Sequence, residues 1–295
     1  MARRRTISSL HRAKHEGTPL TGLTCYDYSF ARALNETELD LILVGDSGGM
    51  VALGYADTSP VSMEEMLILT SAVRRGAPDK FLVGDMPRGS YERSDETAID
   101  NAMAFSKRAG VDAVKLEGGK NMASRVSAIA RSGISVIGHV GLTPQSASAL
   151  GGYRVIGRGS DEAERVRDDA RALELAGAAA LLLEALPPSL GREISSELSI
   201  PVFGIGAGPH VDGQLLILHD LLGLYPDFRP KFARCFVPDV LNDFSQSLHG
   251  PDADLEDRRR NRTDGLLELA KRAVNEFISA TRARTFPDER FCYEE

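Results

Sequence analysis

Residues 41–50 read LILVGDSGGM. Leu41 to Val44 is an apolar run of strand length; a carboxylate, Asp46, and a hydroxyl, Ser47, follow it, and Gly48 and Gly49 let the chain turn away. The same arrangement recurs. FLVGDM (81–86) ends on Asp85, VDAVKLEGG (111–119) delivers Lys115 and Glu117 before two glycines, ISVIGH (134–139) ends on His139, and AAALLLE (178–184) ends on Glu184. Apolar runs that each finish on a functional group are expected where parallel strands bring their C-terminal ends to one mouth.

Outward from that stretch, the chain supplies further strands and the helices between them. TGLTCY (21–26) is strand-like, and Asp27-Tyr28-Ser29 opens a helix over Phe30 to Leu34. Ser62 with Glu65 forms a capping box for the helix that stops at Gly76, and Ser94 caps the next helix. Asn121 to Ser132, Asp161 to Ala176 and Pro188 to Leu198 read as helices. The remaining strands fall at Lys80–Val83, Ala113–Leu116, Ile134–Ile137, Ala180–Leu183, Pro201–Ile205 and Gln214–Leu218. Eight strand-like runs separated mainly by helical spacers predict an α/β fold, a (β/α)8 TIM barrel with additional C-terminal helices. A doubly wound open sheet is the alternative. The barrel core spans about residues 20–223, and a helical extension covers about 224–295 of the same single domain.

In the extension, Leu266 to Ala283 carries an apolar stripe that must pack on the barrel or on a partner subunit, while residues 251–264 are charge-dense and read as a solvated excursion. The basic N-terminal stretch MARRRTISSLHRAKHEG is read as a short amphipathic helix with Ile7 and Leu10 on its apolar side, rather than as a transit peptide. Gly141 to Ser160 has no helical period; its GGYRVIGRG segment is read as a lid, with Tyr153 and Arg154 as contacts.

Composition excludes several classes. With 295 residues, 42% hydrophobic, 26% charged and a net charge of −7, the chain is an ordinary globular protein without the basic footprint of a nucleic-acid binder. No apolar run is long enough to span a membrane. Cys25, Cys235 and Cys292 show neither zinc spacing nor a disulfide framework, which fits the reducing cytoplasm.

Asp46, Asp85 and Glu117 end successive strands, and clustered anions repel unless a cation joins them. An oxygen-only donor set selects a hard divalent ion, Mg²⁺ or next Mn²⁺. Lys115 shares a strand face with Glu117 and would neutralise an anionic substrate group. His139 and Glu184 can carry protons, although a histidine there is equally read as a satisfied core residue. Glu184 has no evident partner in the sequence, so burial is expected to raise its pKa towards neutrality. GIGAG (204–208) is read either as a phosphate cradle or as a point of close backbone approach. A metal, a lysine and proton carriers together fit enolisation of a 2-oxo acid, with attack of the enolate on a one-carbon electrophile or aldehyde, or the reverse cleavage.

The segments TCYDYSFA (24–31), LVGDSGGM (43–50), AVRRGAP (72–78), GDMP (84–87), VKLEGG (114–119), GHVGLTPQS (138–146), GGYRVIGRG (151–159), LLLEALP (181–187), PVFGIGAG (201–208), DGQ (212–214) and HDLLG (219–223) resemble the ketopantoate hydroxymethyltransferase family, in the family's order and across about two-thirds of the chain. The resemblance implies a decorated barrel and metal-dependent transfer of a hydroxymethyl group from 5,10-methylenetetrahydrofolate, with water, to 3-methyl-2-oxobutanoate, giving 2-dehydropantoate in pantothenate biosynthesis. It implies metal ligands at Asp46, Asp85 and Glu117, substrate contacts at Asp46, Ser47, Asp85 and Lys115, a proton acceptor at Glu184 and an active-site histidine at His139. It also implies a homo-oligomer, a pentamer of dimers. Three departures from the family pattern stand out: Gly48 for an apolar residue, giving a looser loop; Arg88 after Pro87, placing a cation near the mouth; and the charged 251–264 insertion. These admit a paralogue acting on another 2-oxo acid. A carbon–carbon lyase of the isocitrate lyase or phosphoenolpyruvate mutase type is the other alternative, though no cysteine stands in such an enzyme's loop setting.

Overall fold

The computed structural model describes residues 4–146, 152–241 and 265–294. Its strands are β1 (Leu20–Thr24), β2 (Leu41–Val44), β3 (Phe81–Asp85), β4 (Ala113–Glu117), β5 (Ser135–Gly141), β6 (Ala180–Glu184), β7 (Val202–Ile205) and β8 (Gly213–Leu216). They pair in parallel in chain order, and β8 returns to β1, so the sheet closes into a barrel rather than remaining open. Strands enclosed on both faces must be apolar almost throughout, which is why LILV, FLVGD and ALLLE carry no polar alternation before their ends. Leu41, Leu43, Val83, Ile137, Leu182, Phe203 and Leu215 line the interior below Lys115.

The helices α1 (Ile7–His15), α2 (Tyr28–Asn35), α3 (Gly48–Val51), α4 (Met63–Gly76), α5 (Asp95–Ala104), α6 (Ala123–Arg131), α7 (Ser160–Leu175), α8 (Pro188–Glu197) and α9 (Leu218–Leu222) alternate with the strands, followed by α10 (Leu266–Arg282). The capping box at the start of α4 forms as its sequence predicts: the Ser62 hydroxyl accepts from the Glu65 backbone N–H and the Glu65 carboxylate accepts from that of Ser62. Asp27 likewise caps α2, accepting from the backbone of Ser29 and Phe30.

The amphipathic N-terminal helix is present as α1, with Leu10 and Ala13 buried. It plugs the barrel end away from the strand C-termini: His11 bonds the Ala179 carbonyl, and Lys14 bonds Asp212 and the Ser195 carbonyl. The stripe of α10 turns Ala270, Ala273, Val274, Phe277 and Ile278 inward and packs on α2, α9 and β1. No described helix is long and apolar enough to cross a membrane. The charged 251–264 segment lies outside the described residues.

The register positions the site. Asp85 pairs with Lys115, Glu117 with His139, and Gly141 with Glu184, so functional side chains on four neighbouring strands reach the same end. Gly84 allows β3 to sit close to its covering helix, since a Cβ there would stand 2.6 Å from the ring of the fully buried Phe105. Gly84→Ala is expected to force that ring aside and lower the unfolding free energy by about 1–3 kcal/mol. Denaturant titration checks this, and a value unchanged from the parent would show that β3 is not packed this tightly.

Candidate active site

The C-terminal mouth holds one cavity of about 350 Å³. Asp46, Ser47, Asp85, Lys115, Glu117, His139 and Glu184 all line it, so every site residue expected from the sequence arrives in one place. Asp85 and Glu117 end β3 and β4, Lys115 and His139 come from within β4 and β5, and Asp46 comes from the turn after β2. The Asp46 backbone N–H donates to Asp85 Oδ2 at 3.0 Å, which ties that turn to β3.

Lys115 is the hub. Its Nζ lies 2.9 Å from Asp85 Oδ1, 3.2 Å from Glu117 Oε1 and 3.2 Å from His139 Nδ1. Burial alone would lower the ammonium pKa, but Asp85, Glu117 and Asp46 outweigh it and raise the pKa, so Lys115 stays cationic. Asp46 moves the other way: burial, then the charges of Asp85 and Glu117, push its pKa well up. Burial also raises that of Asp85, with Lys115 opposing. For Glu117, burial is overcome by Lys115, His139 and the Gln145 backbone N–H, and its carboxyl is held below the usual range.

His139 stands between two carboxylates, with Nδ1 3.4 Å from Glu117 and Nε2 3.2 Å from Glu184. Burial and the Lys115 ammonium disfavour its charged form, but the two carboxylates prevail and the pKa rises to about 9. Protonated, both ring nitrogens face an acid; neutral, Nδ1 accepts from Lys115 and Nε2–H faces Glu184. Glu184 is therefore not the partnerless buried carboxyl expected from sequence. Its side chain is 14% exposed and reaches His139, a pairing that spans two strands and is invisible in either one alone.

The three acids expected to share a metal surround Lys115, and among the described residues no group of three or more His, Cys, Asp or Glu side chains is arranged to hold an ion. The chemistry of the donors still fits a hard cation. Asp85 Oδ1 is buried and, although ion-paired at 2.9 Å, accepts no aligned hydrogen bond. Asp46 is bonded through Oδ2 alone, by the Gln145 amide.

The sequence model described as Ketopantoate hydroxymethyltransferase matches residues 4–249. The chain belongs to the ketopantoate hydroxymethyltransferase family. A Thermus thermophilus protein named 3-methyl-2-oxobutanoate hydroxymethyltransferase is 50% identical over 234 residues, 79% of this chain and 88% of that protein. A Clostridium botulinum protein of the same name is 40% identical over 291 residues, 99% of this chain and 96% of that protein. Among solved structures, a phosphoenolpyruvate phosphomutase from Streptomyces platensis superposes with a TM-score of 0.59 at 13% identity, covering 96% of this chain and 100% of that one. This last likeness is one of fold.

Several side chains that the sequence did not single out complete the site. Gln145 bridges the acids: its amide donates to Asp46 Oδ2 at 2.9 Å and its backbone N–H to Glu117 Oε2 at 3.0 Å. Tyr91 fixes Gln145 in turn, donating to its Oε1 at 2.7 Å. The hydroxyls of Tyr26 and Ser47 bond at 2.9 Å. Gln145 lies within the family segment GHVGLTPQS, and that position was its only sequence signal. The cavity is also lined by Asp220, Tyr225, Phe228, Phe232 and Tyr293, with Tyr153 and Arg154 from the expected lid segment. Residues 147–151 of that segment lie outside the described residues.

Two of the family departures change meaning. Gly48 does not loosen the loop; it opens α3, is buried, and a Cβ there would stand 2.6 Å from the Tyr26 ring. The glycine thus makes room for the tyrosine that holds Ser47. Arg88 is exposed and does not line the cavity, so it adds no cation to the mouth. GIGAG offers no phosphate cradle: the space beside Gly206 is taken by Phe232 and Tyr293, and that beside Gly208 by Pro188. Close approach is the correct reading, of the protein's own side chains.

The raised pKa of His139 has a stability consequence. The group titrates near its ordinary 6.5 when unfolded and about 9 when folded. Its contribution is therefore fully present below pH 6.5 and lost as pH rises through 9, amounting to up to about 3 kcal/mol. Chelator-treated protein should lose stability across that window, and His139→Asn should flatten the loss. Parallel pH profiles of unfolding midpoint for the two proteins would refute the assignment.

Proposed function

We propose that this protein transfers a hydroxymethyl group to 3-methyl-2-oxobutanoate, drawing the carbon from 5,10-methylenetetrahydrofolate with water and releasing 2-dehydropantoate and tetrahydrofolate, as a step of pantothenate biosynthesis. The observation that carries the reading is the convergence, in a chain of this family, of a buried lysine, three acids and a Glu–His pair on one cavity. Asp46, Asp85 and Glu117 would hold the divalent ion, Mg²⁺ or Mn²⁺, and the buried Asp85 Oδ1, ion-paired with Lys115 but without an aligned hydrogen bond, supports that donor set. Such an ion supplies Lewis-acid stabilisation of the enolate.

The chain's own groups do the rest. Lys115, kept cationic by its acid neighbours, binds the negative charge of the 2-oxo acid and of its enolate. Ser47, held by Tyr26, hydrogen-bonds the substrate's oxygens. Glu184 removes the C3 proton, for its side chain is 14% exposed where Asp46, Asp85 and Glu117 are buried. At neutral pH His139 holds its own proton between Glu117 and Glu184, which makes it a group that orients and charge-balances Glu184 rather than the base. The enolate carbon then attacks the donor's one-carbon unit.

We further propose that the chain acts in the cytoplasm as a homo-oligomer, a pentamer of dimers, which sedimentation would register as ten times the 31.9 kDa chain mass. Neither alternative gains support. Arg88 stays outside the cavity, and none of the three cysteines lines it, as a cysteine-dependent carbon–carbon lyase would require.

Deuterium exchange at C3 of 3-methyl-2-oxobutanoate without folate isolates the proton transfer. Glu184→Gln should slow it about 10²–10⁴-fold with binding of the 2-oxo acid nearly retained, whereas Lys115→Ala should weaken binding as well. Exchange at the parent rate in Glu184→Gln would remove Glu184 as the base. Chelation should abolish hydroxymethyl transfer and added Mg²⁺ restore it; full activity after chelation would refute the metal requirement.

A further inference from the structure

Asp220, in α9, also lines the cavity, and its charge acts on Tyr26, the tyrosine that holds Ser47. Asp220 is 4% exposed, and among the described residues the Arg229 guanidinium acts on its carboxylate through charge, with no side-chain hydrogen bond to it. A buried carboxylate without donors is costly, and the cost is recovered only when something supplies N–H or O–H groups. Beside it the wall is aromatic: Phe232 and Tyr293 form an edge-to-face pair with centroids 6.2 Å apart, and Tyr225 and Phe228 continue the wall. Phe228 is 60% exposed among the described residues, a large apolar ring.

A carboxylate set in an aromatic wall matches a flat conjugated heterocycle that presents two parallel N–H donors along one edge. The pterin head of a folate is such a group, with its 2-amino and N3–H donors spaced to meet both oxygens of one carboxylate. We propose that Asp220 and the wall formed by Tyr225, Phe228, Phe232 and Tyr293 bind the pterin of the one-carbon donor, Asp220 accepting from that donor edge. The inference rests on the reading that the donor is a folate. It assigns the HDLLG segment a purpose that the acid cluster leaves unfilled. It also puts the donor in the same cavity as the enolate held at Lys115.

Equilibrium dialysis of the full-length protein with tetrahydrofolate and with its 2-desamino analogue tests this directly. The parent should prefer tetrahydrofolate at least tenfold. Asp220→Asn should bind tetrahydrofolate at least tenfold more weakly and lose the preference, because the amide offers one acceptor and one donor where the pterin needs two acceptors. In steady state its KM for methylenetetrahydrofolate should rise while that for the 2-oxo acid does not. Phe228→Ala, at an exposed position where folding is not at stake, should weaken tetrahydrofolate binding severalfold. A parent that binds tetrahydrofolate without distinguishing the 2-desamino analogue, or an Asp220→Asn protein that binds both as the parent does, overturns the assignment while leaving the folate reading intact. A parent that binds no tetrahydrofolate at all overturns both.

Discussion

The buried ammonium of Lys115 is what allows the mouth to exist. Barrel closure and register force Asp85 beside Lys115 and Glu117 beside His139, and the turn after β2 carries Asp46 onto Asp85. Like charges about 4 Å apart repel by about 4 kcal/mol in a partly screened interior, so three sealed carboxylates without a cation would protonate or move apart. Lys115 at 2.9 and 3.2 Å from two of them supplies the opposing charge, and His139 supplies more. The competition shows in the direction of each group: Glu117, between both cations, is held low, and Asp46, further from them, is pushed up. Lys115 thus pulls on every neighbouring acid, while burial still raises Asp85 beside it.

The same logic explains what a hard cation would meet. The acids are satisfied unevenly. Glu117 is engaged by Lys115, His139 and a backbone N–H, while Asp85 keeps a buried oxygen without an aligned donor and Asp46 uses one oxygen only. An added positive charge would therefore act first on the Asp46–Asp85 side, and Lys115 would be released to face substrate. Gln145 keeps the two sides in register, since its side chain holds Asp46 and its backbone holds Glu117. Tyr91 fixes it from behind.

Much of this was legible in the sequence because it is written in local pattern. An enclosed parallel strand has to be apolar, its last residues have to be polar to serve a site, and glycine has to follow where the chain turns. LILVGD, FLVGD and AVKLE show all of this within a few residues, so the barrel and the acid cluster could both be read. The pairing of Glu184 with His139 could not, because it depends on the register between β5 and β6. Gln145 and Tyr91 matter only once two loops meet. Gly48 misled for the same reason. A glycine after a ligand reads as slack, and only the position of the Tyr26 ring shows that the missing side chain is a space already filled. The aromatic wall draws on residues 225 to 232 and on Tyr293 at the far end of the chain, two segments with no periodicity to announce them.

The cavity is graded in polarity, and the grading follows depth. Asp85, Lys115, Glu117 and His139 are sealed at the strand ends, where low dielectric strengthens every charge on them. Phe228 and Tyr153 lie at the rim, about half exposed. Glu184 is placed between these zones: it is tied to the sealed cluster through His139 yet open enough to meet a substrate. A base placed deeper would be locked into the ion-pair network, as Glu117 is, and would give up a strong contact to accept a proton. A base placed further out would be fully hydrated and would work against water. The boundary position avoids both penalties, and the His139 proton, held by two acids, keeps Glu184 aimed without neutralising it. In the proposed mechanism, proton transfer and charge storage therefore fall to different carboxylates of one cluster, separated by a single imidazole.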